Sequence, residues 1–388
     1  MADAENPGAR HRRHSRQAMP LPDCVALVLQ GGGALGSFQA GVYEALSDAD
    51  VVVDWIAGIS IGAVNAAIIA GNPPERRVER LRAFWDTITA GLPSFPIPQD
   101  DRVREAVHEW SAMAVMAQGV PGFFKPRMWP PFLAAPGSCG AMSFYDTEPL
   151  RATLDALIDW DLLNDGPVRI SVGAVEIQSG NFAYFDNRLG CRLDARHIMA
   201  SGALPPGLPP VDIDGRLYWD GGLVSNTPLT HVLEHQAAPM LVFQCDLFAA
   251  NADPPKTMMD VMAREKEIRY SSRTRQVSAE AVRRRKVRDA IRRVLDKLPA
   301  DMADDADVAA LSSYATEHPL SLVQLINRAN AWEGGSRDYE FSQRTMREHW
   351  QSGRTAIAET MAQSRVLAQN IVDGRTAAFD LAPRRHSH

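Results

Sequence analysis

The chain lacks the marks of several protein classes. It has four cysteines in 388 residues (Cys24, Cys139, Cys191 and Cys245) and none forms a C-x-x-C pair. That excludes a dense disulfide framework and suits a reduced compartment. Cys245, inside the apolar run Met240 to Cys245, reads as strand packing. No stretch reaches the ~18 apolar residues that a membrane span needs. The first 22 residues are polar, carry Arg10, Arg12, Arg13 and Arg16, and have no apolar core for a secretory signal. They read as a disordered basic tail, with a contact to anionic lipid as the alternative. The net charge of −6 gives no overall attraction to nucleic acid. There is no calcium-loop pattern, and the terminal pair His386 and His388 does not make a metal site. No metal or cofactor is expected, and activity should survive a chelator. A cytoplasmic location, with peripheral membrane contact as an option, is the corresponding expectation.

What the chain does have is an α/β beginning. Val25-Ala26-Leu27-Val28-Leu29 is a short, wholly apolar run, as in a central parallel strand. It ends in Gln30-Gly31-Gly32-Gly33-Ala34-Leu35-Gly36. A helix follows, with Leu35, Phe38, Val42 and Leu46 on one face. A second strand, Val51 to Ala57, runs into Gly58-Ile59-Ser60-Ile61-Gly62, and an apolar helix follows from Ala63. This strand, G-x-S-x-G and helix order is that of a nucleophile elbow with Ser60 at its apex. Gly58 and Gly62 are needed because the turn is too tight for a Cβ on either side. Such a βαβα order implies a parallel sheet.

The glycine loop supports two chemistries. Gly31-x-Gly33-x-x-Gly36 matches the dinucleotide fingerprint, and Asp54 follows 18 residues beyond Gly36. Alternatively, the N–H groups of Gly31, Gly32, Gly33 and Gly36 form an oxyanion hole. A serine elbow four residues after Asp54 favours the second, since a dinucleotide site has no need of it. A merely tight turn is the third reading.

Further along, 76–90 and 101–118 read as helices, with a proline-rich break after Gly91. Residues 119–143 hold five prolines interleaved with Phe123, Phe124, Met128, Trp129, Phe132 and Leu133. That stretch is too apolar for simple disorder, and reads as a lid or acyl-site wall, or as a packed Ω-like loop. A helix is expected from Thr147 to Trp160 with Thr147 as N-cap, then strands at 168–175 and 182–185. A short helix begins near His197, which reads as a helix-surface or supporting residue. The aromatic strand Arg216 to Trp219 delivers Asp220-Gly221-Gly222, an acid on a tight loop at a sheet edge. Asp212 and Asp214 belong to a polar turn around Gly215. His231 completes a Ser…Asp…His order and is the rival base, although it falls at a helix start.

These three motifs, in this order, resemble the patatin-like phospholipases, and the likeness covers about residues 23–250. The segments Ser201-Gly202-Ala203-Leu204-Pro205, Tyr218 to Leu223 and Asn226-Thr227-Pro228-Leu229 add to it. Leu35 stands where many members carry Arg or Lys. The resemblance implies a three-layer α/β/α fold with a mostly parallel sheet and a Ser60–Asp220 dyad without histidine. It also implies a backbone oxyanion hole and the hydrolysis of a lipid or other acyl ester. A direct Ser–Asp pair is chemically reasonable for esters, whose leaving group needs little acid assistance.

Past Asp253-Pro254-Pro255 the composition changes. Arg264 to Lys297 carries thirteen Lys or Arg against five Asp or Glu, with an apolar stripe through Val287, Ile291 and Val294. This reads as a basic amphipathic helix, either docked and solvated or touching an anionic membrane. Nothing favours nucleic acid. Residues 301–307 read as an acidic linker. Helices are expected at 320–332, 339–350 and 356–372, with Gly334-Gly335 between the first two. The expected division is therefore a tail (1–22), a catalytic domain (23–250) and a mainly helical extension (251–388), either a second domain or helices completing the first, that resembles one attached to some bacterial members. Three functions compete: a serine acyl-ester hydrolase, a nucleotide-binding module, and a non-catalytic membrane- or polyanion-binding protein. The oligomeric state, the ester and the role of the extension stay open.

Overall fold

Strand β1 (Cys24–Leu29) is buried on both faces, which is why its sequence is a continuous apolar run rather than an alternation. Val25, Leu27 and Leu29 pack into one core, and Ala26 and Val28 into another. The two cores are the two interlayer spaces of a three-layer α/β/α fold. This computed structural model describes residues 20–92, 100–249 and most of 254–381; within the last span, 256–257, 300–301, 303, 316–317, 329–332 and 334–335 are excepted. Most of the basic tail, the proline-rich break, Gly334-Gly335 and the stretch Pro383 to His388 lie outside the described residues.

The sheet has nine strands: β1, β2 (Trp55–Gly58), β5 (Arg169–Glu176), β6 (Phe182–Asp186), β7 (Val211–Ile213), β8 (Arg216–Asp220), β9 (Met240–Asp246), β10 (Leu320–Ile326) and β11 (Ala377–Phe379). Their order is β11-β10-β9-β1-β2-β5-β8-β7, with β6 paired to β5; the small pair β3 (Lys125–Pro126) and β4 (Tyr145–Asp146) lies apart. From β11 to β5 all neighbours are parallel. Helices α1 (Ser37–Asp48), α2 (Ile61–Ala70), α3 (Arg77–Thr89) and α11 (Gln343–Ala362) cover one face. Helices α8 (Leu229–Glu234) and α9 (Met258–Leu295) cover the other.

One detail of register positions the site. β2 runs along β5 only as far as Gly58 opposite Val172. β6 occupies the other edge of β5 over Ser171 to Val175. β8 therefore enters the edge that β2 has left, antiparallel to β5, and stops with Asp220 opposite Ala174. Two strands from distant parts of the chain thus end about two residues, roughly 7 Å, apart along β5.

The C-terminal third is mainly helical, yet it also completes the sheet. Residues 320–326, expected as helix, form β10 in full register with β9. The sequence Leu-Ser-Leu-Val-Gln-Leu-Ile is apolar enough for either state, and pairing with the exposed edge of β9 decides it. A boundary at 250 thus cuts between hydrogen-bonded neighbours. α11 crosses α1 so closely that a Cβ on Gly41 would lie 1.9 Å from Trp350 O, and one on Gly353 would lie 2.0 Å from Phe38 O. Trp350 Nε1 donates to Glu44 Oε2 at 2.7 Å across that crossing.

Smaller differences have local causes. The helix expected over 147–160 breaks into α5 (Glu148–Leu157) and α6 (Trp160–Asp165), because Asp159 accepts from Asp161 N and Leu162 N and starts a new helix. Thr147 makes no side-chain cap; the N–H of Glu148 bonds Asp146 Oδ1 instead. Helix α7 (Ala195–Ser201) is capped by Asp194. The acidic linker at 301–307 leads into α10 (Ala306–Ala315). The last two expected helices begin late or divide: α11 starts at Gln343, with Ser342 Oγ accepting from Thr345 N, and α12 (Ser364–Val372) is separate. Helix α4 (Asp101–Gln118) is as expected. Among the described residues, no helix is long and apolar enough to cross a membrane.

Candidate active site

Ser60 sits between the end of β2 and the first turn of α2 with φ 55° and ψ −124°. A non-glycine residue at positive φ is held there by its surroundings. Those surroundings are tight: a Cβ on Gly58 would lie 2.3 Å from Gly62 O, and one on Gly62 would lie 2.4 Å from Leu29 O. The Ser60 N–H donates to Ser201 Oγ (3.0 Å), which itself donates to Gly173 O (2.7 Å). Ser201 on α7 thus fixes the elbow to β5, a role the sequence did not reveal.

Asp220 is 3% exposed. Its carboxyl accepts from Gly222 N at 2.7 Å, and it lines the same cavity as Ser60. Burial pushes its pKa from the usual 3.8 up to about 6, against the lowering effect of the Gly222 N–H and the Ser60 side chain. Gly221 passes close to β5, where a Cβ would lie 2.7 Å from Gly173 O.

The glycine loop is pinned from several directions. Gly31 N donates to Asn226 O (3.2 Å) and Asn226 Nδ2 donates to Gly31 O (2.8 Å). Gly31 was expected among the oxyanion donors, but its N–H is committed to this clamp. Gly36 is also displaced from that list: it does not line the cavity, and its missing Cβ lets the loop approach Ile61 Cγ1, which would lie 2.6 Å away. Gly32 and Gly33 do line the cavity, and so does Ile61, at the N-terminus of α2. None of these three N–H groups has an acceptor among the described residues. Ile61 could have been named from the elbow alone, since the residue after the nucleophile opens the helix. Asn65 holds the loop from α2, with Nδ2 donating to Gly36 O (2.9 Å) and Oδ1 accepting from Trp85 Nε1 (3.1 Å).

A cavity of about 170 Å³ lies over Ser60 and Asp220. Its walls are mostly apolar, with Phe123, Phe124, Ile198, Leu204 and Phe341 among them. The C-terminal third contributes Lys266, Tyr270, Asp338 and Tyr339. Asp338 O accepts from Ala34 N (2.9 Å), and the Asp338 carboxylate pairs with Lys266. Lys266 is the only cation among the described residues that line the cavity.

The other candidates are placed elsewhere. Asp54 precedes β2, and its carboxylate accepts from Val25 N (2.9 Å), four residues or about 13 Å from the end of β1 where the glycine loop starts. A ribose-binding acid belongs at the opposite end of β2, so the dinucleotide reading loses its acid. His231 lies 3.2 Å from Asp186 Oδ2 and stacks on Tyr184 with ring centroids 3.9 Å apart; it does not line the cavity. His197 is buried and accepts the Asp194 N–H at 3.0 Å as part of the cap on α7. Asp212 Oδ1 accepts from Gly215 N (2.9 Å), and Asp214 has φ 52°, as the polar turn requires.

A strand–serine–helix elbow, a buried acid and a glycine loop thus meet at one end of the sheet of a three-layer α/β/α protein. The sequence model of the family described as Patatin-like phospholipase matches residues 27–233, more than half the chain, and a second, described as Patatin phospholipase, matches residues 268–371. The chain belongs to the patatin-like phospholipase family. It is 27% identical over 231 residues to patatin-like phospholipase domain-containing protein 7 of Mus musculus, covering 58% of this chain and 14% of that protein. It is 54% identical over 46 residues to the lysophospholipase nte1 of Aspergillus terreus, covering 12% of this chain and 3% of that one. The chain thus spans a small part of the length of these relatives. Among solved structures, human GIVD cytosolic phospholipase A2 aligns with a TM-score of 0.41 and 11% identity, over 91% of this chain and 60% of that one.

Proposed function

We propose that the protein is a serine acyl-ester hydrolase acting on lipid, with Ser60 as nucleophile and Asp220 as its base. The observation that carries this reading is a serine held at the apex of a strained elbow and a buried carboxyl, both lining one mostly apolar cavity and close enough for the serine to lower the carboxyl's pKa. Asp220 takes the Ser60 proton as Oγ attacks the acyl carbonyl. The N–H groups of Gly32, Gly33 and Ile61 receive the oxyanion, each worth about 3 kcal/mol in the transition state. Collapse of the tetrahedral intermediate expels the alcohol, which takes the proton from Asp220. Water, giving its proton to Asp220, then attacks the acyl-enzyme; the bond to Ser60 Oγ breaks, Oγ takes the proton back from Asp220, and the fatty acid is released. The apolar walls hold the acyl chain and keep bulk water from the oxyanion.

The family and the motif order support the lipid class of substrate. The test is labelling by a fluorophosphonate of the wild type, Ser60→Ala and Asp220→Asn. Labelling should vanish in the first variant and weaken in the second. Equal labelling of Ser60→Ala, or full ester turnover by Asp220→Asn, would refute the assignment.

A further inference from the structure

Among the described residues, a run of exposed apolar side chains leads into Tyr145, which lines the cavity. Within residues 128–144, five large apolar side chains face solvent: Met128 (89% exposed), Phe132 (87%), Leu133 (73%), Trp129 (69%) and Phe144 (43%). Scattered exposed hydrophobics are ordinary, but a cluster of this kind marks a contact surface. Met113 and Met116 of α4 are also exposed, and Met116 O accepts from Tyr145 OH at 2.7 Å, which ties α4 to the base of the loop.

The loop is built, not loose. Arg127 N donates to Phe144 O (3.1 Å), and the Arg127 guanidinium donates to Ser143 Oγ (3.0 and 3.1 Å). Above that clasp the chain closes local turns, with Leu133 N on Pro130 O, Ala134 N on Pro131 O, Ser138 N on Ala135 O and Ala141 N on Ser138 O. Pro130, Pro131 and Pro136 have no N–H to satisfy. Between Met128 and Met142 the one side-chain hydroxyl is Ser138, and it is spent on Ala135 O (2.7 Å). A protein partner is recognised through roughly one hydrogen bond per 100–200 Å² of interface, and the side chains of this tip offer almost none. Insertion at headgroup depth asks for none from the side chains and leaves the remaining backbone groups within reach of water.

Charge points the same way. Residues 119–144 contain no Asp or Glu and two cations, both at the base of the loop below the apolar tip: Arg127, and Lys125, which pairs with Asp146 at 3.3 Å but stays 60% exposed. Trp129 at the tip and cations beneath it match an aromatic ring set at the interface with basic groups at headgroup level. The base is also the doorway: Phe144 N donates to Pro206 O (3.2 Å) and Tyr145 N to Gly207 O (3.0 Å), and Tyr145, Pro206 and Gly207 line the cavity over Ser60.

We propose that the 126–144 loop, with the end of α4, inserts into the surface of an anionic lipid bilayer and sets the cavity mouth against it. This rests on the hydrolase reading for its purpose but not for its test. It also moves the membrane contact away from the basic helix α9, where Arg283 and Arg284 are both paired with Glu280.

The experiment uses the full chain carrying Ser60→Ala, floated with vesicles of phosphatidylcholine alone or mixed with phosphatidylglycerol. Binding is expected, and stronger to the mixed vesicles. Trp129→Ser with Phe132→Ser should lower the partition coefficient about a hundredfold, roughly tenfold for each ring withdrawn. Arg283→Glu with Arg284→Glu should change it less than threefold. Cys139, the one exposed cysteine among the described residues, takes an environment-sensitive dye whose emission should shift to the blue on vesicles. With Ser60 intact, the loop variant should keep its turnover of a water-soluble short-chain ester and lose turnover of vesicle lipid. The single Phe132→Ser variant serves if the double variant does not fold. Unchanged flotation of the loop variant overturns the proposal, as does a dimer that this variant dissolves while flotation persists. A chain that floats as expected but cleaves no soluble ester sinks the hydrolase reading and leaves the docking surface standing.

Discussion

The carboxyl of Asp220 gives a prediction in which activity and stability move in opposite directions. Burial holds its pKa at about 6 rather than the usual 3.8. Only the carboxylate can take the Ser60 proton, so kcat/KM should rise with pH, with unit slope, through a single inflection near 6. At pH 5 about a tenth of the base is ionised and about a tenth of the plateau rate remains. The same shift makes Asp220 a liability to the fold. Its folded-state pKa lies above its unfolded value, so its contribution to stability is complete below pH 3.8 and is lost as pH rises through about 6. A gap of about two units is worth about 3 kcal/mol. Asn has the same shape, keeps an oxygen for the Gly222 N–H and has no charge to bury. Asp220→Asn should therefore unfold at a higher urea midpoint than the wild type at pH 8, by up to about 3 kcal/mol, and at the same midpoint near pH 4. Its ester turnover should fall by about a hundredfold or more and lose the pH inflection. Asp246, whose pKa burial raises to about 7, is present in both proteins and cancels from the comparison. A pH–rate profile that is flat between 5 and 8, or an Asn variant less stable than the wild type at pH 8, would refute this account of the dyad.

Three further outcomes follow from the contacts around the site. Ser201→Ala removes the acceptor of the Ser60 N–H and leaves Gly173 O unpaired; kcat should fall at least about tenfold and stability by about 2 kcal/mol, and an unchanged kcat would show that Ser201 does not position the elbow. Gly33→Ala places a Cβ 2.2 Å from Asp338 O at a φ of +54°; displacement of the loop should lower kcat/KM by about a hundredfold, and wild-type turnover would show that Gly33 is not a donor. Gly353→Val forces α11 off Phe38 O and should destabilise the chain by about 3 kcal/mol; an unshifted urea midpoint would mean that α11 is not part of the catalytic fold.

Much of the catalytic half was readable because its chemistry is local. The elbow is five consecutive residues, and each glycine is dictated by a backbone atom two to four residues away or in the adjacent strand. β1 could be read because burial on both faces leaves a wholly apolar run. What could not be read is set by partners far along the chain. Gly31 looks like any loop donor until Asn226, 195 residues on, takes its N–H. Leu320 to Ile326 is apolar at both the helical and the strand period, and only the open edge of β9 makes it a strand. The sequence alone leaves the extension open between a second domain and helices completing the first, because its longest segment is a polar, basic helix. Its individual contacts decide the matter: Gly353 lets α11 lie on α1, Asp338 O holds Ala34 N, and Lys266 and Tyr270 of α9 reach the cavity. A glycine loop carrying Leu35 has no cation of its own, and here a cation reaches the same cavity from α9. Because the loop, the cavity wall and the sheet edge all draw on residues beyond 250, the segment 23–250 alone would expose β9, free Ala34 N and open one side of the cavity. The chain past residue 250 is therefore part of the same folded unit, completing a sheet and a cavity that the first 250 residues leave unfinished.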